Sequence, residues 1–136
     1  MTDINAVIAA AASGMRAQTT RMRLAAENVA NANSTGQSPG EEPFRRRIPL
    51  LESTTLAGGV EGVRVMGATY DMTAFREEYN PSHPAADQNG YVRLPNVDTL
   101  VEMMDMREAT RAYEANLNMI EAARTMTSRA LDLLRR

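Results

Sequence analysis

The chain holds one histidine, His83, in the stretch YNPSHPAAD over 79–87. Imidazole suits proton transfer near neutral pH and binds metals. The donors near it in sequence are the carboxylates Asp71, Glu77, Glu78 and Asp87. A transition-metal centre wants several His or Cys ligands converging, and the chain contains no cysteine. Pro81 and Pro84 bracket His83 and read as a rigid extended turn around it. Ser13, Ser34 and Ser82 offer hydroxyls, but no further histidine is available to build a triad around them. Glu77 and Asp87 can be drawn as a hydrolytic carboxylate pair, yet no sequence feature supplies a substrate groove. No Gly-rich phosphate loop occurs. The expectation is therefore no catalytic residue, no cofactor, no metal and no small-molecule substrate: the chain does not read as an enzyme.

The remaining candidates are charges and amides. Arg45-Arg46-Arg47 suggests an anion site. If 44–51 is a strand, however, the three alternate in face and form no single cluster. They read as a solvated edge strand protected by charge, with a subunit–subunit salt bridge as the functional alternative. All fifteen basic residues are Arg, and the net charge is −2, which gives no broad cationic field for nucleic acid. The amides are more informative. The stretch ENVANANSTG over 27–36 places Asn28, Asn31 and Asn33 at the end of a long apolar-periodic segment. Asn is a poor helix former, because its amide competes for nearby backbone groups. Two helices packing through apolar stripes alone would slide in register. Buried amides that must find partners set it, at a cost in stability. Asn28 and Asn31 are read as that device, bridging to Asn116 beside Tyr113 and Leu117, within or between subunits. Asn33 and the following Ser-Thr-Gly read as the helix end.

Three segments must position these groups. Residues 1–33 form an N-terminal helical unit, with the helix over 3–33. There Ile4, Ile8, Ala11, Met15, Gln18, Met22, Ala25 and Val29 recur in alternating steps of four and three. Residues 97–136 form the second, whose stripe is Met103, Met106, Tyr113, Leu117, Ile120, Ala123, Thr127, Leu131 and Leu134, with Asn96 as N-cap and Asp98 in the first turn. Between them, 34–96 carries all six Pro and seven of the eight Gly. Short strands are expected in FRRRIPLL, GVEGVRVMGATY and GYVRLP, the last after the tight-turn pair Asn89-Gly90. The fold class is thus mainly α with a small β insert. The two long helices pack as an antiparallel coiled-coil-like pair, and the insert is too small to stand without them. Aromatics make up only 4% of the chain, so the core must be built from aliphatics, Ala and the ten Met, whose adaptable side chains suit non-identical neighbours. No apolar run reaches the ~18–20 residues of a membrane span. The N-terminus lacks the basic region of a cleaved secretory signal.

Two motifs go further. SGMRAQTTRMRLAAENVANANSTG over 13–36 resembles the N-terminal signature of the bacterial flagellar axial proteins of rod and hook. The resemblance lies in Ser13-Gly14-Met15, Ala17-Gln18, Arg21, Ala25, Asn28, Ala30-Asn31 and Thr35-Gly36. YNPSHPAADQNGYVRLPNVDTLVEMMDMREATRAYEAN over 79–116 is similar to the C-terminal half of the proximal-rod type, and PGEEPFRRR also fits that type. Gln37 stands where many axial relatives carry an aromatic, and the tail LDLLRR lacks their small-residue ending.

The resemblance implies a structural subunit that assembles helically with copies of itself into the hollow, torque-transmitting proximal rod. It implies contacts with other rod subunits, the membrane-ring or rod-base adaptor and the distal rod. It also implies export through the flagellar type III apparatus to a basal body spanning the periplasm. The expected subunit-interface residues are Ile4, Ile8, Met15, Gln18, Met22, Asn28, Val29, Asn31, Met103, Met106, Tyr113, Asn116, Leu117, Ile120, Leu131 and Leu134. The alternatives are another axial type, distal rod or hook-like, and an amphipathic protein of membrane surfaces. The latter would want basic flanks beside a wide apolar face, and the first helix offers only Arg16, Arg21 and Arg23.

Overall fold

The computed structural model describes residues 2–135. Helix α1 spans Thr2–Ala30 and helix α2 spans Thr99–Leu134. Between them lie β1 (Arg47–Thr55), β2 (Glu61–Tyr70), β3 (Arg76–Tyr79) and β4 (Tyr91–Leu94). The insert is two separate antiparallel pairs, β1–β2 and β3–β4, rather than one sheet.

The helices run antiparallel, as their partners show. Asn28 meets Glu102, Arg21 lies 3.9 Å from Glu108, and the Thr110 hydroxyl is 3.4 Å from the Met22 sulfur. Gly14 faces Asn116, and Ile4 and Val7 share a cleft with Met119 and Met126. The β1–β2 hairpin lies along another face of α1. Arg47 pairs with Asn28 at one end, Val63 with Ser13 in the middle, and Gly58 approaches Ala6 at the tip. Helix α1 is therefore packed on two sides. Its fully buried residues divide accordingly: Ala11 and Ala25 belong to the stripe that meets α2, whereas Leu24 and Ala17 lie off it.

The hairpin turn closes through Leu56 N–H to the Val60 carbonyl, at 2.7 Å, with Gly58 and Gly59 at φ +88° and +77°. Register slips once, between Leu50 and Leu51, where Met66 is the additional residue. In the second pair Tyr79 faces Tyr91, with rings edge-on 5.4 Å apart. Gly90 is required twice over: its φ is +87°, and a Cβ there would sit 2.8 Å from the Tyr79 ring. The pair is anchored by Val92, Pro95 and Val97, all buried, and by Arg76. The Arg76 guanidinium donates to the carbonyls of Ala32 and Pro95, at 2.9 and 3.0 Å.

Three expectations change. The N-cap of α2 is Asp98, whose carboxylate accepts the Leu100 N–H at 3.0 Å. Asn96 instead ties loops together: its Oδ1 accepts the Arg46 N–H at 2.8 Å and its Nδ2 donates to the carbonyls of Asp71 and Thr73. Strand β1 starts at Arg47, so Arg45 and Arg46 precede it and strand alternation does not apply to them. β3, with the sequence REEY, is a further strand whose four residues are all exposed.

Candidate functional site

The seam between the helices obeys a strict seven-residue repeat. In α1 one row is Ile4, Ala11, Gln18 and Ala25, and the other is Ile8, Met15, Met22 and Val29; all eight are buried or half-buried. In α2 one row is Met106, Tyr113, Ile120 and Thr127, and the other is Glu102, Ala109, Asn116 and Ala123, again with none exposed. This is the spacing that keeps two helices in contact along their length. The most tightly enclosed apolar positions are alanines: Ala109 is 0% exposed and Ala123 6%. Small side chains let the backbones approach. Gly14 extends this, since a Cβ there would lie 2.7 Å from Asn116 Nδ2.

A polar node closes the seam at the start of α2. Asn28 is 1% exposed and Glu102 2%. The Asn28 amide donates to the Arg47 carbonyl at 2.9 Å and to Glu102 Oε2 at 3.3 Å, and its Oδ1 accepts the Arg47 N–H at 2.9 Å. The other Glu102 oxygen accepts from Arg46 Nε. Arg46 also reaches Asp71, at 3.3 Å, and Asp105, at 3.5 Å. Burial alone would lower the Arg46 pKa. The hydrogen bond and charge of Glu102, then those of Asp71, outweigh it and hold the guanidinium above its ordinary value. The Thr73 backbone N–H, 2.9 Å from Asp71 Oδ1, does most to hold that carboxyl below its ordinary range. Burial opposes it, and the Thr73 side chain and Arg46 add to the lowering. Arg47 pairs with Glu27 at 3.1 Å. Arg45 lies over the Phe75 ring, 4.2 Å from its centroid, and donates to the Asp71 carbonyl. The arginine run is thus not a solvated edge: each member has an intrachain partner, and Arg46 links the loop before β1 to α2.

The other sequence candidates are occupied structurally. His83 does more than hold a turn. Its Nδ1 accepts the Ala85 N–H at 2.9 Å, which leaves Nε2 to carry the proton and donate to Thr35 Oγ1 at 3.2 Å. The segment after α1 is thereby tied to the β3–β4 connection. Asp87 accepts the N–H groups of Asn89 and Tyr91 within its own turn, and Glu77 stands opposite Arg93 in the β3–β4 register. Ser13 donates to the Ala10 carbonyl and accepts the Val63 N–H. Among the described residues no group of three His, Cys, Asp or Glu is placed to hold a metal. No described helix is long and apolar enough to cross a membrane.

Of the residues read as interface, Ile4, Ile8, Met15, Gln18, Met22 and Val29 line the α1 side of the seam, and Met106, Tyr113, Asn116 and Ile120 line the α2 side. Asn28 joins α1 to both β1 and α2. Asn31 stays local: its amide donates to the Glu27 carbonyl at 2.9 Å and its Oδ1 accepts from Ser34. Within the chain it closes the end of α1. Met103, Leu117, Leu131 and Leu134 lie off the covered seam, 59%, 38%, 47% and 82% exposed. Sequence reading missed Glu102 and Ala109. The signal was present in the spacing 102, 109, 116, 123, but its members are neither bulky nor uniformly apolar.

Two long helices locked in register by a polar node, with apolar side chains left over on α2, define a structural subunit of an assembly. Residues 88–133 match the family described as flagellar basal body rod FlgEFG protein C-terminal. The flagellar basal-body rod protein FlgC of Agrobacterium fabrum is 45% identical over 136 residues, covering 99% of this chain and 98% of that protein. Those of Bacillus subtilis and Salmonella typhimurium are 36% and 34% identical, each covering 90% of this chain and 92% of the relative. The chain belongs to the FlgC family of flagellar basal-body rod proteins.

Proposed function

We propose that the chain is a structural subunit of the proximal rod of the bacterial flagellum, polymerising helically with copies of itself into the hollow shaft that transmits torque. The observation that supports this most is α2. One face is covered by α1 along a strict heptad seam, while ten of its large apolar side chains are more than a third exposed. A monomer gains nothing from that arrangement, whereas a helical assembly covers such surfaces with neighbours. In this reading the intrachain seam, from Ile4 to Val29 and from Met106 to Ile120, presents the outward residues Met103, Leu117, Leu131 and Leu134 to adjacent subunits. Asn31, at the end of α1, belongs to the same contact zone.

The finer partners follow from the same reading: other rod subunits, the membrane-ring or rod-base adaptor below and the distal rod above. The chain travels through the type III export apparatus and acts in the basal body where it spans the periplasm. Deleting the gene and restoring it from a plasmid tests the function. The deletion strain is expected to lose motility and to yield basal bodies without a complete rod, both restored by the plasmid. Intact rods in the deletion strain would contradict the reading.

A further inference from the structure

The polar node at the start of α2 borders a cavity of about 30 Å³, lined by Arg21, Ala25, Asn28, Arg46, Glu102 and Asp105 among others. One water molecule needs about 10–15 Å³ of such space, and it needs two to four polar partners. The direct contacts around the cavity are long. Asn28 Nδ2 and Glu102 Oε2 are 3.3 Å apart, and Arg46 and Asp105 are 3.5 Å apart. Arg21 lies 3.9 Å from Glu108, its nearest carboxylate among the described residues. At separations of this kind a bridging water commonly completes the pair. The lining also holds hydrogen-bonding capacity in reserve. Arg46 has five N–H groups, of which three are engaged, with Glu102, Asp71 and Asp105. Each carboxylate has roughly four acceptor sites; Glu102 receives two donors and Asp105 one.

The charges choose the occupant. Three guanidiniums, of Arg21, Arg46 and Arg47, and two carboxylates, of Glu102 and Asp105, line the same small space. An anion would meet the carboxylates, and a cation would meet the guanidiniums. A neutral molecule that both donates and accepts suits both sets. We propose that this cavity is a binding site for a single ordered water. The water accepts from the guanidiniums of Arg21 and Arg46 and donates to the carboxylates of Asp105 and Glu102. It adds to the direct Asn28–Glu102 contact a second polar link between the helices, from Arg21 on α1 to Asp105 on α2.

A structure of the full chain, at a resolution that shows ordered solvent, tests the site directly. The expected result is one peak within hydrogen-bond distance, ~2.7–3.2 Å, of a guanidinium nitrogen of Arg21 or Arg46 and of a carboxylate oxygen of Asp105 or Glu102. A peak bordered by guanidinium nitrogens alone, and replaced by bromide on soaking, would overturn the proposal in favour of an anion. So would the absence of any peak with these side chains in place. A second measurement reads the same point in solution. Ala25 borders the cavity and is 4% exposed, so Ala25→Thr and Ala25→Val put one shape into it and differ only in a hydroxyl. Their helix propensities are similar. Val displaces the water and replaces none of its bonds, whereas the Thr hydroxyl replaces some of them. The Thr variant is therefore expected to melt at the higher temperature. A Val variant that melts as high as the Thr variant, or higher, would mark a dry cavity and overturn the proposal.

Discussion

Asn28 and Arg47 are joined as two residues of neighbouring strands are joined, except that one partner is a side chain. The Asn28 amide donates to the Arg47 carbonyl and accepts the Arg47 N–H, both at 2.9 Å. The first residue of β1 has no strand beside it on the α1 side, and a buried backbone pair left open there would be destabilising. Only Asn and Gln carry a donor and an acceptor in this arrangement, and the same amide still reaches Glu102. One residue thus sets the hairpin against α1 and α1 against α2.

Asn28→Ala is expected to destabilise the isolated chain by about 1–3 kcal/mol, because it leaves buried groups of Arg47 and Glu102 without a partner. Asn31→Ala removes only a local bond at a helix end, and its effect is expected below about 1 kcal/mol. Denaturant unfolding of the two variants side by side gives the comparison. Equal losses would show that the node carries no special weight.

Glu102→Ala is expected to be among the most damaging single changes in α2. Removing one member of a buried ion pair costs about 3–5 kcal/mol. The lower end applies, since Arg46 is 22% exposed and keeps Asp71 and Asp105. Glu102→Gln keeps the shape but only one acceptor where two are used, so its NH2 faces a donor of Arg46 or Asn28. It should also lose stability, though less than the Ala variant, which leaves both without an acceptor. Thermal melts of both variants decide it, and an Ala variant as stable as the Gln variant would remove Arg46–Glu102 from the account.

Gly14 offers a test of the seam. Gly→Ala inside a helix normally gains about 1 kcal/mol, but here the new Cβ would meet Asn116 Nδ2 at 2.7 Å. The two effects oppose, so Gly14→Ala should be close to neutral. Combined with Asn116→Ala, it should recover most of the helical gain relative to Asn116→Ala alone. A double-mutant cycle measures this coupling, and strictly additive effects would show that the two residues do not press on each other.

Acid should weaken the node through Asp71. Its folded pKa lies below the ordinary 3.8, so the unfolded chain binds the proton more readily. The resulting stability is present above 3.8 and is lost as pH falls through the folded value. Arg46 is shifted the other way, above an already high value, and its contribution holds throughout the neutral range. Melting temperatures from neutral to acid pH should therefore fall more steeply for the wild type than for Asp71→Asn. Parallel curves would contradict the assignment.

The helices, their antiparallel pairing and the family resemblance were legible because they depend on period. Steps of three and four in α1 mark a face whatever the partner. The α2 stripe was read less well for a physical reason. Bulk draws the eye to Met103, Leu117, Leu131 and Leu134, whereas close helix packing selects small residues, so the seam runs through Ala109 as well as the Ala123 already placed in the stripe. Glu102 was invisible as a core residue because a carboxylate is buried only when a partner meets it. That partner, Arg46, is 56 residues away. The arginine run misled for the same reason: its role depends on where the loop before β1 lands. His83 read as a turn residue, which it is, but its bond to Thr35 spans 48 residues. β3 escaped notice because its four residues are polar or exposed and its pairing with β4 is tertiary.

Location within the basal body is the most direct test. The tip of the β1–β2 hairpin is exposed, and at Gly59 no neighbour lies within 4 Å of an added Cβ, so a peptide tag is inserted there. Purified basal bodies from cells complemented with the tagged chain are labelled with gold-conjugated antibody and viewed by electron microscopy. The account predicts gold on the rod, in cells whose swimming the tagged chain restores. Gold absent from the rod of such swimming cells, with the chain recovered in another fraction, would contradict it.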